Sequence, residues 1–123
     1  PEQYAAAASL SGALSLNQIE DPDALLPEWP IIFGDNSKIV NSEDDLLYLA
    51  KRCYQQKQFP LRLFQCCGTE DFLYQSNQHF LKNGNELGLN LHYEESPGGH
   101  EWQYWDEQIK RVIEWLPIDS GDR

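Results

Sequence analysis

Residues 61 to 71 read LRLFQCCGTED: a mostly apolar run, Leu61 to Cys67 with Arg62 and Gln65 within it, breaks into a Gly68-Thr69-Glu70-Asp71 loop. Such a run suits a strand, and the residues after it, about Phe72 to Asn83, suit a helix with Gly84 as its C-terminal cap. The same order appears on both sides. Upstream, residues 4 to 10 (YAAAASL) form a small apolar run ending in Ser11-Gly12, which reads as a strand buried on both faces. Downstream, LNLHYEE alternates, with Leu89, Leu91 and Tyr93 on one side and Asn90, His92 and Glu94 on the other.

Helices separate and follow these strands. Asn17 to Pro30 is acidic and proline-punctuated, a loop with at most a short turn. Ser42, followed by Glu43, Asp44 and Asp45, resembles a capping box with acids at the positive helix end. Leu46, Leu49, Ala50, Cys53 and Tyr54 then recur at helical spacing, so one face of that helix is expected to be buried. The last helix carries Trp102, Trp105, Ile109, Val112, Ile113 and Leu116 on one stripe, a pattern of core residues, and Pro117 ends it. Strand, helix, strand, helix, strand, helix is the pattern of an α/β fold. It implies a parallel sheet joined by right-handed crossovers, with helices on its faces. Three strands are few for that architecture. The chain also lacks methionine and opens on PEQYAAAASL, and both features read as a piece of a longer protein.

Charge narrows the partners. Nine Lys and Arg against twenty Asp and Glu give a net charge of −11 over 123 residues. Nucleic-acid binding needs a basic footprint that this composition does not supply, and anionic membrane surfaces would repel it. No apolar run reaches the roughly 20 residues of a spanning helix. Cys53, Cys66 and Cys67 are odd in number and two are adjacent, which reads as buried thiols in a reducing cytoplasm rather than a disulfide framework. No CxxC or HxxxH spacing suggests a metal site, and no cofactor motif occurs.

In an open α/β sheet, sites form at the carboxyl ends of the strands. Three segments end there: Ser11-Gly12, Gly68 to Asp71, and Gly98-Gly99-His100. They supply a hydroxyl, two carboxylates and an imidazole. His100 stands out because it precedes a helix, whose positive end does nothing to stabilise an imidazolium. A general-base histidine needs one ring nitrogen free and a carboxylate on the other. Asp71 is one candidate acid and is equally suited to cap the following helix. Glu70 is its rival. His79 and His92 read as solvated surface residues.

The segments LFQCCGTEDFLY and YEESPGGHEWQYWDEQIKRVIEWL resemble the C-terminal half of the α/β-hydrolase esterases. That group includes S-formylglutathione hydrolase-like, feruloyl, acetyl-xylan and bacterial short-chain carboxylesterases. The resemblance runs through nearly the whole chain and implies that residues 1–123 are the C-terminal portion of one α/β-hydrolase domain. It implies hydrolysis of a small carboxylic ester, with Asp71 as triad acid and His100 as triad base. The order acid then base is the order of that fold, with the serine upstream. The nucleophile elbow G-x-S-x-G is absent from the sequence. Ser11 has Ser9 and Ala13 at its ±2 positions, not glycines, and no helix pattern follows it. By resemblance, Ser11, Gly12 and Trp102 line the substrate pocket. The expected partners are therefore a small ester and the N-terminal half of the same hydrolase, or a second copy in its place. A non-catalytic binding or assembly module on the same scaffold is the competing expectation.

Overall fold

The computed structural model describes residues 4–55 and 61–118. Three parallel strands stand in the order β1 (Ala6–Leu10), β2 (Arg62–Gly68) and β3 (Leu91–Ser96). Between them run α3 (Leu46–Gln55) and α4 (Tyr74–Leu87), and α5 (Trp102–Trp115) follows β3. Two single-turn helices, α1 (Pro22–Leu25) and α2 (Trp29–Ile32), interrupt the long β1–α3 connection.

Central strand β2 organises the layers because its side chains alternate between faces. Phe64 and Cys66 join Tyr104 and Val112 of α5 in the core. Gln65 points the opposite way, and its amide donates to the Asn77 carbonyl and side-chain oxygen of α4, both at 2.9 Å. Helices therefore cover both sheet faces, a three-layer α/β/α arrangement as expected.

Several local expectations are corrected. Strand β1 is not buried on both faces: Ala7 and Ala8 are exposed, since β1 is an edge strand paired only with β2 among the described residues. Helix α4 starts at Tyr74 and continues past Gly84 to Leu87. The cap is Gly88, at φ +78°. Gly84 is instead buried inside the helix, where an added Cβ would press on Leu89 and Leu91 at 3.3 and 3.4 Å. Asp45, not Ser42, heads α3: its carboxylate accepts the Leu47 and Tyr48 N–H groups at 3.1 and 3.2 Å.

The stretch from Asn17 to Pro30 holds more than a loop, with α1 and the start of α2 in it, and the connection that continues to Asp45 is packed as well. Trp29 and Ile39 are buried within it, and Trp29 donates its indole N–H to Asn36 at 3.2 Å. Conversely, the expected buried face of α3 is not buried. Leu46 and Tyr54 are exposed, and the stripe lines an apolar hollow of about 560 Å³ with Ala7, Leu14 and Leu91. The α5 stripe is core only in part. Val112 is buried, while Ile109, Ile113 and Trp102 are exposed.

Candidate active site

Parallel pairing brings the carboxyl ends of all three strands to one edge, and the loops after them form the site. Asp71 and His100 meet there. The Asp71 side chain is fully buried, and its Oδ2 lies 3.0 Å from His100 Nδ1, whose ring is about one-third exposed. Asp71 Oδ1 accepts the Leu73 N–H at 2.8 Å. The carboxylate thus divides its oxygens between the turn that leads into α4 and the imidazole. Capping and pairing, alternatives in the sequence, are both present. The capping serves the turn before α4, not a helix starting at Phe72.

His100 is wedged between aromatic rings. Phe72 lies 4.8 Å away, and Trp105 meets the imidazole edge-on at 4.7 Å and 88°. Trp105 follows from the first turn of α5, and Phe72 from the residue after Asp71. With Nδ1 protonated and donating to Asp71, Nε2 is left with a lone pair to accept a proton.

Glu70 does not face the imidazole. Its Oε2 accepts the Gly98 N–H at 2.5 Å and the Thr69 hydroxyl at 2.8 Å. Those bonds, the Gly98 one foremost, hold its carboxyl below the ordinary carboxylate range. The acid loop and the base loop approach so closely that a Cβ on Gly68 would sit 2.1 Å from the Gly98 carbonyl oxygen. Gly98 has φ +149°, and a Cβ there would meet Tyr104 Cδ2 at 2.7 Å. Glycine is required at both places.

Ser11 ends β1 at φ +53° and is 2% exposed, with no hydrogen-bond partner for its hydroxyl among the described residues. Left-handed backbone at a serine after a strand is also what a nucleophile elbow demands. No helix follows, however, only an extended stretch and a 3-10 turn at Leu16–Gln18. Gly12 follows on the same edge, its carbonyl accepting the Asn77 amide at 2.9 Å. Trp102 is 83% exposed and stacks edge-on against Trp105 at 5.2 Å. Leu10, Trp102, Trp105 and Ile109 line an open hollow of about 580 Å³ beside the imidazole-bearing loop.

Two histidines lie outside this group. His92 is exposed and pairs with Glu94 at 2.9 Å, as expected of a surface residue. His79 is not solvated as expected. It is half-buried, with Nδ1 3.1 Å from the Ser15 hydroxyl. Ser15 is in turn held through its backbone by the buried Ser76 hydroxyl, which accepts its N–H at 3.0 Å and donates to its carbonyl at 3.1 Å. Sequence reading missed this anchor because its partners lie more than sixty residues apart and carry no local signal. Burial pushes the Cys66 and Cys67 thiols up to about 11 and about 12, so both are inert neutral groups.

A parallel three-layer sheet with an acid–base pair at its carboxyl edge is the arrangement of an α/β-hydrolase. Comparison with known proteins agrees. An acetyl esterase of Caldicellulosiruptor saccharolyticus is 35% identical over 88 residues, 69% of this chain and 32% of that protein. The substrate-bound structure of a fluorophosphonate-binding serine hydrolase, hydrolase F of Staphylococcus aureus, matches 94% of this chain and 45% of its own. Its TM-score is 0.75 at 30% identity. S-formylglutathione hydrolase of Staphylococcus aureus, as apoenzyme, matches 90% of this chain and 44% of its own, with a TM-score of 0.72 at 28% identity. A ferulic acid esterase, 20% identical with a TM-score of 0.58, shares the fold. No protein-family model matches the chain. The chain is similar to α/β-hydrolase esterases over most of its own length, and it spans about a third of the curated relative and under half of each of these structures.

Proposed function

We propose that this chain supplies the acid and the base of a serine-dependent hydrolase of small carboxylic esters. The observation that carries the proposal is the 3.0 Å contact between His100 Nδ1 and the buried Asp71 carboxylate. Asp71 fixes the ring tautomer and stabilises the imidazolium that forms. His100 Nε2 accepts the proton of a serine hydroxyl as that oxygen attacks the ester carbonyl. It then returns the proton to the departing alcohol, and the acyl-serine is hydrolysed by water that His100 activates in the same way. Ser11, Gly12 and Trp102 line the pocket on this reading.

The serine and the oxyanion donors come from the remainder of the hydrolase, residues 1–123 being its C-terminal portion. That remainder, or failing it a second copy of this chain, occupies the free edge of β1. The match to esterases over the chain's own length supports the reaction class. The free thiols support a reducing compartment such as the cytoplasm, and no helix among the described residues is long and apolar enough to cross a membrane.

The test is complementation. The chain alone is expected to leave p-nitrophenyl acetate unhydrolysed above background. Combined with the upstream half of the hydrolase it is expected to turn the ester over, and His100→Ala is expected to abolish that turnover. Turnover by the chain alone that a fluorophosphonate blocks would bring back Ser11 as nucleophile. A combined protein inert to every small ester would leave a binding module on a hydrolase scaffold.

A further inference from the structure

We infer that Glu70 is a positioning residue that sets His100 onto Asp71. The inference rests on the catalytic reading of that pair for its consequence in turnover, and on the geometry of two loops for its substance.

The two loops leave neighbouring parallel strands and each carries one member of the pair. Nothing in strand pairing itself fixes the loops once β2 and β3 end at Gly68 and Ser96. The loop after β3 is Pro97-Gly98-Gly99, and two consecutive glycines give it wide backbone freedom. Glu70 removes that freedom at Gly98, as Glu101 does at Gly99 by donating its N–H to the Gly99 carbonyl at 3.0 Å and accepting the Gly99 N–H at 3.3 Å. The Glu70 N–H donates to the Gly98 carbonyl at 3.1 Å, and its carboxylate accepts the Gly98 N–H at 2.5 Å. Both polar groups of a single glycine are therefore held by a single residue. The Thr69 hydroxyl braces the same carboxylate oxygen at 2.8 Å, and the Thr69 N–H donates to the Ser96 carbonyl at 3.1 Å.

The clamp sits one residue from Asp71 and two from His100. Its effect on the imidazole is direct: the ring must reach the Asp71 carboxylate and also fit between Phe72 and Trp105. Without the Glu70 carboxylate the Gly98 N–H loses its acceptor, and Gly98 is tied to the acid-bearing loop only through the backbone N–H of residue 70. A carboxylate is suited to this place because two donors converge on one oxygen, and charge-assisted bonds are about twice as strong as neutral ones.

The test reads ring position without requiring activity. In the chain, proton–proton Overhauser contacts from the His100 ring to the Phe72 and Trp105 rings are expected in the parent and in Glu70→Gln, which keeps an acceptor oxygen. They are expected to be lost in Glu70→Ala, with the far-UV circular dichroism and melting of all three proteins alike. In the complemented hydrolase, Glu70→Ala is expected to lower kcat about tenfold to a hundredfold with KM little changed, and Glu70→Gln to restore most of it. Contacts that survive Glu70→Ala, or that vanish equally in Glu70→Gln, overturn the inference. A complemented hydrolase that is inactive in the parent form counts against the proposed function, while the ring contacts still decide the clamp.

Discussion

Gly68→Ala is the sharpest probe of how the fold builds the site. A Cβ at position 68 lies 2.1 Å from the Gly98 carbonyl oxygen and 2.6 Å from its carbon, whereas ordinary contact begins at 3.4 Å. The difference, 3.4 − 2.1 = 1.3 Å, is a displacement of backbone, which no rotamer change relieves. Moving the Gly98 carbonyl that far breaks the 3.1 Å bond from the Glu70 N–H. Overpacking of this kind costs about 1–3 kcal/mol, and the lost hydrogen bond about 1 more. For a chain of this length, about 3 kcal/mol lowers Tm by roughly 10 °C. Because His100 is two residues beyond the displaced carbonyl, a shift of about 1 Å at the base reduces kcat about a hundredfold in the complemented enzyme. Differential scanning calorimetry on the chain and steady-state hydrolysis of a small ester give the two numbers. A Gly68→Ala protein with parental Tm and parental kcat would refute the close-approach reasoning outright.

Other consequences are measurable separately. Cys66 and Cys67, with thiols pushed up to about 11 and about 12, are expected to resist Ellman's reagent in the native protein at neutral pH. The half-buried Cys53 reacts, and denaturant exposes all three thiols to the reagent. The Arg111 guanidinium, then the His92 ring, pulls the Glu94 carboxyl down to about 2. Its charge therefore supports the fold fully above the unfolded value of about 4.3, and that support is lost as pH falls through about 2. Glu94→Gln is expected to cost about 1 kcal/mol at neutral pH, a small value because the Arg111 side chain is over half exposed, and to match the parent near pH 2 in urea titrations. Gly88→Ala, at φ +78°, is expected to destabilise by about 1 kcal/mol in the same titrations, whereas Asp71→Asn leaves the fold standing and removes complemented ester hydrolysis.

Much of this architecture is legible in the sequence because local chemistry encodes it. A strand-like segment followed by a loop and a helix occurs three times, and that alternation points to a parallel sheet without long-range information. At its edge His100 is legible as an imidazole before a helix on two glycines, whereas the choice of Asp71 over Glu70 comes from the resemblance to the esterases. What failed depends on distant neighbours. Gly84 and Gly88 are equally good caps by composition; only Leu89 and Leu91, folding back over Gly84, assign it to close packing. The burial of β1 and α3 was overstated because apolar pattern records what a surface is fit to bury, not what stands against it. In the sequence Glu70 reads only as a rival acid, since a hydrogen bond to the backbone 28 residues away leaves no mark on composition.

These failures and successes divide the molecule in a way that bears on function. Several apolar side chains on α3 and α5 stand uncovered among the described residues: Leu46, Tyr54, Ile109, Ile113 and Trp102. The edge where Asp71 and His100 meet is different. Gly68 against Gly98, Glu70 on both polar groups of Gly98, and Phe72 and Trp105 about the imidazole are all contacts within the described residues, and none relies on what covers the helices. Asp71 and His100 are therefore set by β2, β3 and their own loops. On the proposed function this ordering has a physical benefit, since orientation fixed before substrate and nucleophile arrive costs nothing during the reaction. On that reading the close approach of Gly68 to Gly98 and the Glu70 bonds to Gly98 stand where orientation matters, beside Asp71 and His100.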